Sequence, residues 1–265
     1  MKKWCFHVSN HHFPAASTEP CLSDIHAIYC DTCFSEGNLT ISNIREISFP
    51  MAMTTIVLAC ILMPVLLYYE SKEIPKGILP VKTIISLLFV LTALVQPRPV
   101  PAYFAWMLPG LIFCLGGDVF LALPQKKMFF LGLVSFLVGH VFYVICFFYT
   151  AHPTASILWG ALPVSIASLW IFIRLKPHLG DMMIPVMVYV FVITIMVCGA
   201  FSLLLEPGLA FTGRMLAFCG ALSFYISDLF VARDRFVKKG PINRILGLPL
   251  YFGGQFLLAF SIGYL

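Results

Sequence analysis

Apolar residues dominate this chain from about residue 51 onward, in stretches long enough to cross a lipid bilayer. Polar or proline-rich breaks separate eight of them, at 51–69, 78–95, 102–123, 128–149, 155–173, 182–205, 210–232 and 242–265. Each has about the 17 to 25 residues that a spanning helix needs. Lipid offers the backbone no hydrogen-bond partners, so segments of this kind must be helical. The pattern predicts an all-α integral membrane protein with eight transmembrane helices.

Composition supports this class. Hydrophobic residues make up 60% of the 265 residues and charged residues only 11%, whereas soluble domains average about a quarter charged. The net charge of +5 includes no basic run long enough to bind nucleic acid, so the lipid bilayer is the expected partner. The chain divides into a polar tail, residues 1–50, and a membrane domain, residues 51–265.

Basic residues concentrate in the loops that follow the odd-numbered helices: Lys72, Lys76, Lys126, Lys127, Arg174, Lys176, Arg233, Arg235, Lys238 and Lys239. By the positive-inside rule these loops are cytoplasmic, and both termini are lumenal or extracellular. The tail agrees, because Asn38-Leu39-Thr40 is a glycosylation acceptor. Its cysteines, at 5, 21, 30 and 33, either form disulfides on that oxidising side or lie in a disordered segment.

Two aspartates lie inside spans in matching settings, Gly117-Asp118-Val119-Phe120 and Ser227-Asp228-Leu229-Phe230. An ionisable group in a spanning segment is costly enough that a functional site is the default interpretation. Asp118 lies roughly 7–8 Å from the cytoplasmic end of its helix at 1.5 Å per residue, and Asp228 has a similar depth. Lys82 enters the second helix from the same side. The three charges are expected to share one cytoplasmic layer and one pocket.

Two alternatives remain open for these charges. Lys82 could extend its ammonium to the membrane interface instead of facing the aspartates. Either aspartate alone could belong to a purely structural ion pair with Lys82 or Arg233. A structural role for both is harder to accommodate, because two buried carboxylates repel and one cation neutralises only one of them.

An internal repeat relates the two halves of the membrane domain. Helix four carries Leu131-Gly132-Leu133 with Phe136, Gly139 and His140, and helix eight carries Leu246-Gly247-Leu248 with Tyr251, Gly254 and Gln255. The offset here is 115 residues (246 − 131), close to the 110 between the aspartates (228 − 118). We predict two parallel four-helix repeats with the site at their interface. His140 and Gln255 would then form a second matched layer deeper in the membrane. Small residues should let the helices approach closely: Gly116, Gly117, Gly139, Gly253 and Gly254.

Two carboxyl groups in unequal environments provide a general acid beside a carboxylate. This pair suits hydrolysis through an oxocarbenium-like cation, in which one group delivers a proton and the other stabilises positive charge. Intramembrane aspartyl proteases share such a pair but carry Tyr-Asp, Gly-x-Gly-Asp and Pro-Ala-Leu, which this chain lacks. No metal site is predicted, because His140, His152 and His178 are too scattered for a three-histidine zinc site.

These residues, in this order, resemble the lysoplasmalogenase (YhhN) family of eight-span membrane proteins over residues 52 to 265. The matching features are Lys82, Gly117-Asp118, Gly139-His140 with Tyr143, Ser227-Asp228, and Leu248-Pro249-Leu250-Tyr251 followed by Gln255. The resemblance implies hydrolysis of the vinyl ether bond of lysoplasmalogens to a fatty aldehyde and a glycerophospho-ethanolamine or glycerophospho-choline. It implies no cofactor and, in animals, the endoplasmic-reticulum membrane.

The resemblance implies that Asp118 and Asp228 are catalytic. It implies substrate binding or support for five further residues: Lys82, His140, Tyr143, Tyr251 and Gln255. The phosphate of the lysophospholipid would meet the basic cytoplasmic rim. A proton-coupled transporter, a flippase or a non-enzymatic lipid sensor would use the same carboxylates. The sequence leaves the oligomeric state open.

Overall fold

The computed structural model describes residues 49–152 and 154–265. Within these ranges it contains eight helices long and apolar enough to cross a membrane and no β-strand, which confirms the predicted all-α membrane class. The helices are α1 (Phe49–Ser71), α2 (Pro75–Val95), α3 (Pro101–Leu121), α4 (Lys126–Thr150), α5 (Leu158–Leu175), α6 (Met183–Leu204), α7 (Phe211–Ala232) and α8 (Pro241–Tyr264).

The predicted spans match these helices closely. The largest differences are at the starts of α2 and α5, which begin at Pro75 rather than 78 and at Leu158 rather than 155. The predicted tail, with Asn38 and its four cysteines, lies outside the described residues except for Phe49 and Pro50, which belong to α1.

Proline marks several helix starts. Pro75, Pro101 and Pro241 open α2, α3 and α8, at a position where the missing N–H has no helical partner to lose.

The C-terminal end of α7 continues into a π-helical turn, Arg233–Val237. Such turns are frequent at functional sites, and this one lies at the end of α7 that carries Asp228.

Six of the helices form a closed ring, in the order α2, α3, α4, α6, α7 and α8. The other two pack outside it and are the least buried of the described spans. The Thr55 hydroxyl of α1 lies 2.6 Å from that of Thr92 on α2, and the Thr194 hydroxyl of α6 donates to Ser168 on α5 at 2.7 Å. Each outer helix is therefore attached to the first ring helix of its own half.

The most extensive packing joins α3 to α4 and α7 to α8, and glycines set both contacts. A Cβ on Gly139 would lie 3.0 Å from the carbonyl oxygen of Gly110, and a Cβ on Gly254 would lie 2.9 Å from that of Gly220. Gly220 follows Gly110 by 110 residues (220 − 110), and Gly254 follows Gly139 by 115 (254 − 139). These are the offsets of the predicted repeat. The matched contacts support that repeat, which remains a prediction.

One of the predicted close approaches is wrong. Around Gly253 no heavy atom in the described part of the chain lies within 4 Å of an added Cβ. The neighbouring Gly254 makes the helix contact instead, because adjacent residues of a helix point about 100° apart.

Candidate active site

Lys82 and Asp118 form a buried ion pair between α2 and α3. The Lys82 ammonium lies 3.3 Å from Asp118 Oδ1. Lys82 is 6% exposed and Asp118 is completely buried. Lys82 therefore points into the protein, and the alternative in which it extends to the interface does not describe this structure.

Two hydroxyl groups complete the surroundings of Asp118. Ser86 donates to Asp118 Oδ2 at 2.6 Å, and Tyr251 of α8 donates to the same oxygen at 2.5 Å. Ser86 lies one helical turn after Lys82, so both side chains leave α2 on one face. A cation and two donors around one carboxyl group stabilise its ionised form.

Asp228 has a different environment. It is partly buried on α7, and its Oδ2 accepts a hydrogen bond of 2.6 Å from the Tyr189 hydroxyl of α6. Across residues 49–152 and 154–265 no cation forms an ion pair with Asp228. The single cation of the layer thus neutralises only one of the two carboxyl groups.

Both aspartates line one cavity of about 270 Å³, together with Lys82, Tyr189 and Tyr251. Apolar side chains form much of the remaining wall: Leu121, Leu133, Phe136, Ile171, Leu175, Val186, Val190 and Ile193. The cavity therefore combines a small cluster of convergent polar groups with an apolar lining, as ligand sites do.

Three of the predicted site residues lie behind this wall rather than in it. His140 is completely buried, and its ring lies edge-on to Tyr189, with centroids 5.2 Å apart. The Tyr143 hydroxyl donates to Gln255 Oε1 at 2.9 Å. None of the three lines the cavity. They can support the site through Tyr189 and the packing around it, but they do not face the space where a ligand would lie.

A charged network lies at the end of the cavity on the side of the odd-numbered loops. Arg244 of α8 lies 3.8 Å from Glu70, 3.6 Å from Asp234 and 3.3 Å from Glu73. Lys239 also contacts Glu73. The Lys239 ammonium and then Arg244 lower the pKa of the exposed Glu73 carboxyl below its usual 4.5. These contacts join the loop between α1 and α2 to the turn between α7 and α8.

Residues 77–262 match the YhhN family. The chain belongs to the YhhN family. The predicted resemblance to this family is thereby confirmed.

Individual relatives carry informative names. The chain is 34% identical to lysoplasmalogenase TMEM86A of Bos taurus over 154 residues, which cover 57% of this chain and 62% of that protein. It is 33% identical to lysoplasmalogenase TMEM86B of Mus musculus over 158 residues, 59% of this chain and 63% of the relative. The chain is 27% identical to a lysoplasmalogenase of Mycobacterium bovis over 173 residues, which cover 63% of this chain and 62% of that protein. The chain thus spans less than two thirds of these relatives. No solved structure matches it.

Sequence reasoning missed two residues that contact the aspartates in this YhhN protein. Ser86 could have been found, since it follows Lys82 by one turn on the same helix face. Tyr189 gave a weaker signal, because a tyrosine in an apolar helix usually packs in the core or at the membrane interface. Only the predicted repeat would have drawn attention to it, since in that repeat α6 corresponds to α2, which carries Lys82.

Proposed function

We propose that this protein is a membrane hydrolase that cleaves the vinyl ether bond of lysoplasmalogens. The products would be a fatty aldehyde and a glycerophospho-ethanolamine or glycerophospho-choline. Relatives named lysoplasmalogenase support the proposal. The observation that carries it is the pair of carboxyl groups in one cavity, of which Asp118 has the Lys82 ammonium beside it.

In this proposal Asp228 is the general acid. Removal from water disfavours the ionised form of a carboxyl group, and no cation among the described residues pairs with Asp228 to offset this. Its acidic proton would pass to the distal vinyl carbon of the substrate, which leaves an oxocarbenium ion shared by the adjacent carbon and the ether oxygen. Tyr189, at 2.6 Å, would hold the carboxyl group in place during this transfer.

Asp118 is the anionic partner. Held ionised by Lys82, Ser86 and Tyr251, it would stabilise the oxocarbenium ion and orient the water that adds to it. The water yields a hemiacetal and returns one proton to Asp228. The hemiacetal then collapses to aldehyde and alcohol. Water is consumed, no electron is gained or lost, and both carboxyl groups end as they began.

The depth of the carboxyl groups favours hydrolysis over transport. Asp118 lies three residues before the end of α3 at Leu121, and Asp228 lies four residues before the end of α7 at Ala232. A transporter site is expected near the middle of the bilayer. A site close to one face instead suits a lysolipid whose head group stays at the surface while its ether bond reaches the carboxyl layer.

We also propose an endoplasmic-reticulum location, with the odd-numbered loops and the open end of the cavity facing the cytoplasm. The concentration of basic residues in those loops supports this orientation. Attachment of a glycan at Asn38 in microsomes would agree with a lumenal tail. Digestion of the tail by protease added to sealed, right-side-out microsomes would contradict it.

The activity is tested with purified protein in detergent. Lysoplasmalogen should yield free aldehyde, whereas the matched 1-alkyl lysophospholipid, which lacks the double bond, should remain intact because it has no carbon to protonate. Binding of both lipids without aldehyde release would instead identify a lipid sensor. Proton-coupled movement of lipid across reconstituted vesicles without hydrolysis would identify a transporter or flippase.

A further inference from the structure

The charged groups at the open end of the cavity are not equally engaged. Arg244 is held by Glu70 and Asp234, which also line the cavity. The Asn243 amide donates to Asp234 and to the carbonyl oxygen of Lys238. Arg235 lines the same opening, and within the described residues no carboxylate lies in ion-pair contact with it. Its guanidinium retains its donors for another ligand.

Arg235 is nevertheless held in place. It projects from the π-helical turn, and its guanidinium carbon lies 4.2 Å from the centre of the Phe129 ring of α4. Phe129 in turn packs edge-on against Phe236, with centroids 6.1 Å apart. A guanidinium over an aromatic face keeps its N–H groups free at the edge while its orientation is restricted. Such a group is suited to bind a phosphate through two parallel hydrogen bonds.

The spacing along α7 matches the proposed substrate. Arg235 follows Asp228 by seven residues (235 − 228), which is about 10 Å at 1.5 Å per residue. An extended glycerol backbone separates the phosphorus of a lysoplasmalogen from its vinyl carbons by roughly 8 Å, at about 1.2 Å per bond. A phosphate on Arg235 would therefore place the vinyl ether at the depth of the carboxyl groups.

The charges of the opening also match a zwitterionic head group. Arg235 and Arg244 carry two positive charges there, and Glu70 and Asp234 carry two negative charges. We infer that Arg235 binds the phosphate of the lysolipid head group, and that the Glu70 and Asp234 carboxylates, which line the same cavity, face the ammonium. This inference rests on the proposed function for the identity of the substrate, but the phosphate site itself requires no catalysis.

The test compares two substrates that differ in the phosphate. Lysoplasmalogen carries it, and 1-alkenylglycerol has the same vinyl ether without it. In phospholipid-free detergent, Arg235→Gln should lower kcat/KM for lysoplasmalogen roughly 10- to 100-fold, the loss expected for a charge-assisted hydrogen-bonded pair, mainly by raising KM. It should leave kcat/KM for 1-alkenylglycerol unchanged. An equal loss on both substrates, or no loss on lysoplasmalogen, would overturn the assignment.

Two further variants sharpen the test. Arg174→Gln is the matched control, because Arg174 also lies over an aromatic ring, 5.2 Å from the centre of Trp170, but does not line the cavity. It should change neither substrate. Arg235→Lys keeps the charge and loses the planar fork, so it should give an intermediate, phosphate-selective loss. It replaces Arg235→Gln as the deciding variant if the latter does not fold.

Binding separates failure of this site from failure of the proposed function. The 1-alkyl lysophospholipid cannot be hydrolysed by this route, and its affinity should fall in Arg235→Gln whether or not the protein is a hydrolase. Arg235-dependent binding without aldehyde release would reject the hydrolase and retain the phosphate site. Aldehyde release by the wild-type protein, together with unchanged binding in Arg235→Gln, would retain the hydrolase and reject the phosphate site. Displacement of the lysolipid by sub-millimolar inorganic phosphate would identify free phosphate as the ligand and overturn the lipid assignment.

Discussion

The two halves of the ring hold their carboxyl groups in unequal ways. In the first half Asp118 receives a cation from Lys82 at 3.3 Å. In the second half the Tyr189 phenol donates to Asp228 at 2.6 Å, and no cation among the described residues forms an ion pair with it. Tyr189 follows Lys82 by 107 residues (189 − 82) on the corresponding helix of the other half.

In the predicted repeat and the proposed mechanism, this difference would let two corresponding carboxyl groups act as an acid and a base. Symmetry would bring two like carboxyl groups into one cavity, where they would compete for one proton. A lysine at one position and a tyrosine at the other remove that equivalence, because a neighbouring cation favours the ionised form and a neutral donor favours it far less. The chemical distinction lies in the neighbours of the two carboxyl groups rather than in the groups themselves: Lys82, Ser86 and Tyr251 surround Asp118, whereas Tyr189 donates to Asp228.

The largest effect is expected from the carboxyl groups. Asp118→Asn and Asp228→Asn each preserve size and most hydrogen bonding but can neither ionise nor donate an acidic proton. Each should lower kcat for aldehyde release about 10²- to 10⁴-fold. The double variant should be little worse than the single ones, because residues that act as a unit are not lost twice.

Folding provides the control for this pair. Both single variants should still elute as monodisperse protein and bind the 1-alkyl lysophospholipid. Asp118→Asn leaves the Lys82 ammonium buried without its partner and should be the less stable of the two. Near-normal aldehyde release by either variant would end the paired-carboxyl mechanism, and equal loss of folded protein and activity would favour a structural ion pair.

Removal of the cation should reduce the difference between the two carboxyl groups. Without Lys82 the ionised form of Asp118 is less favoured, so ionisation would require a higher pH. In Lys82→Met the acid limb of the pH profile of kcat/KM should therefore move to higher pH. Because a close opposite charge shifts the ionisation of a carboxyl group by about 1–3 pH units, activity at pH 7 should fall roughly 10-fold or more. Tyr189→Phe removes a neutral donor and should move the profile less. A stability loss with an unchanged pH profile in Lys82→Met would assign Lys82 to structure alone.

The repeat itself can be tested through its matched glycines. Gly139→Ala places a Cβ 3.0 Å from a backbone oxygen of the neighbouring helix, and Gly254→Ala places one 2.9 Å from such an oxygen. Both should destabilise the protein by about 1–3 kcal/mol, because a backbone contact cannot yield as a side chain can. Gly253→Ala, whose Cβ would have no heavy atom of another described helix within 4 Å, is the adjacent control and should not be destabilised, because alanine is favoured over glycine in a helix. A large loss in only one half, measured by thermal denaturation in detergent, would count against equivalent packing.

The sequence predicts the helices well because one physical rule, satisfaction of the backbone in lipid, sets their lengths. It also predicts the layer of Lys82, Asp118 and Asp228, since depth follows from counting residues along known helices. It does not predict which carboxyl group takes the cation. That depends on the rotation and ring order of the helices, which place α2 beside α3 and bring Tyr251 across from α8.

The same limit explains His140 and Gln255. Their matched positions in α4 and α8 indicate a layer in common, but the direction in which each side chain points is not contained in the spacing. The structure turns His140 toward Phe224, with ring centroids 4.6 Å apart, and Gln255 toward Tyr143, away from the cavity. The sequence predicts how far along its helix each residue lies, whereas tertiary packing determines the direction in which its side chain points.

The smallest effect concerns the turns that precede Lys82 and Tyr189. Glu73 and Gly180 both have left-handed backbone, with φ of 52° and 49°, and they too are 107 residues apart (180 − 73). Glycine adopts this conformation freely, whereas glutamate is strained there. The Lys239 and Arg244 contacts offset that strain and lower the Glu73 pKa from 4.5. Because the pKa of Glu73 is lower in the folded protein than in the unfolded chain, the ion pairs contribute stability at pH values above the unfolded-state pKa. This stability is lost as the pH falls through the folded-state pKa.

Glu73→Gln keeps the strain and loses the ion pairs, so its denaturation midpoint should fall by at most about 2 °C at pH 7. The difference from wild type should vanish well below pH 4.5. Glu73→Gly loses the same pairs but also the strain, so it should be more stable than Glu73→Gln at every pH. The reverse order would show that the turn does not impose the left-handed backbone seen at Gly180.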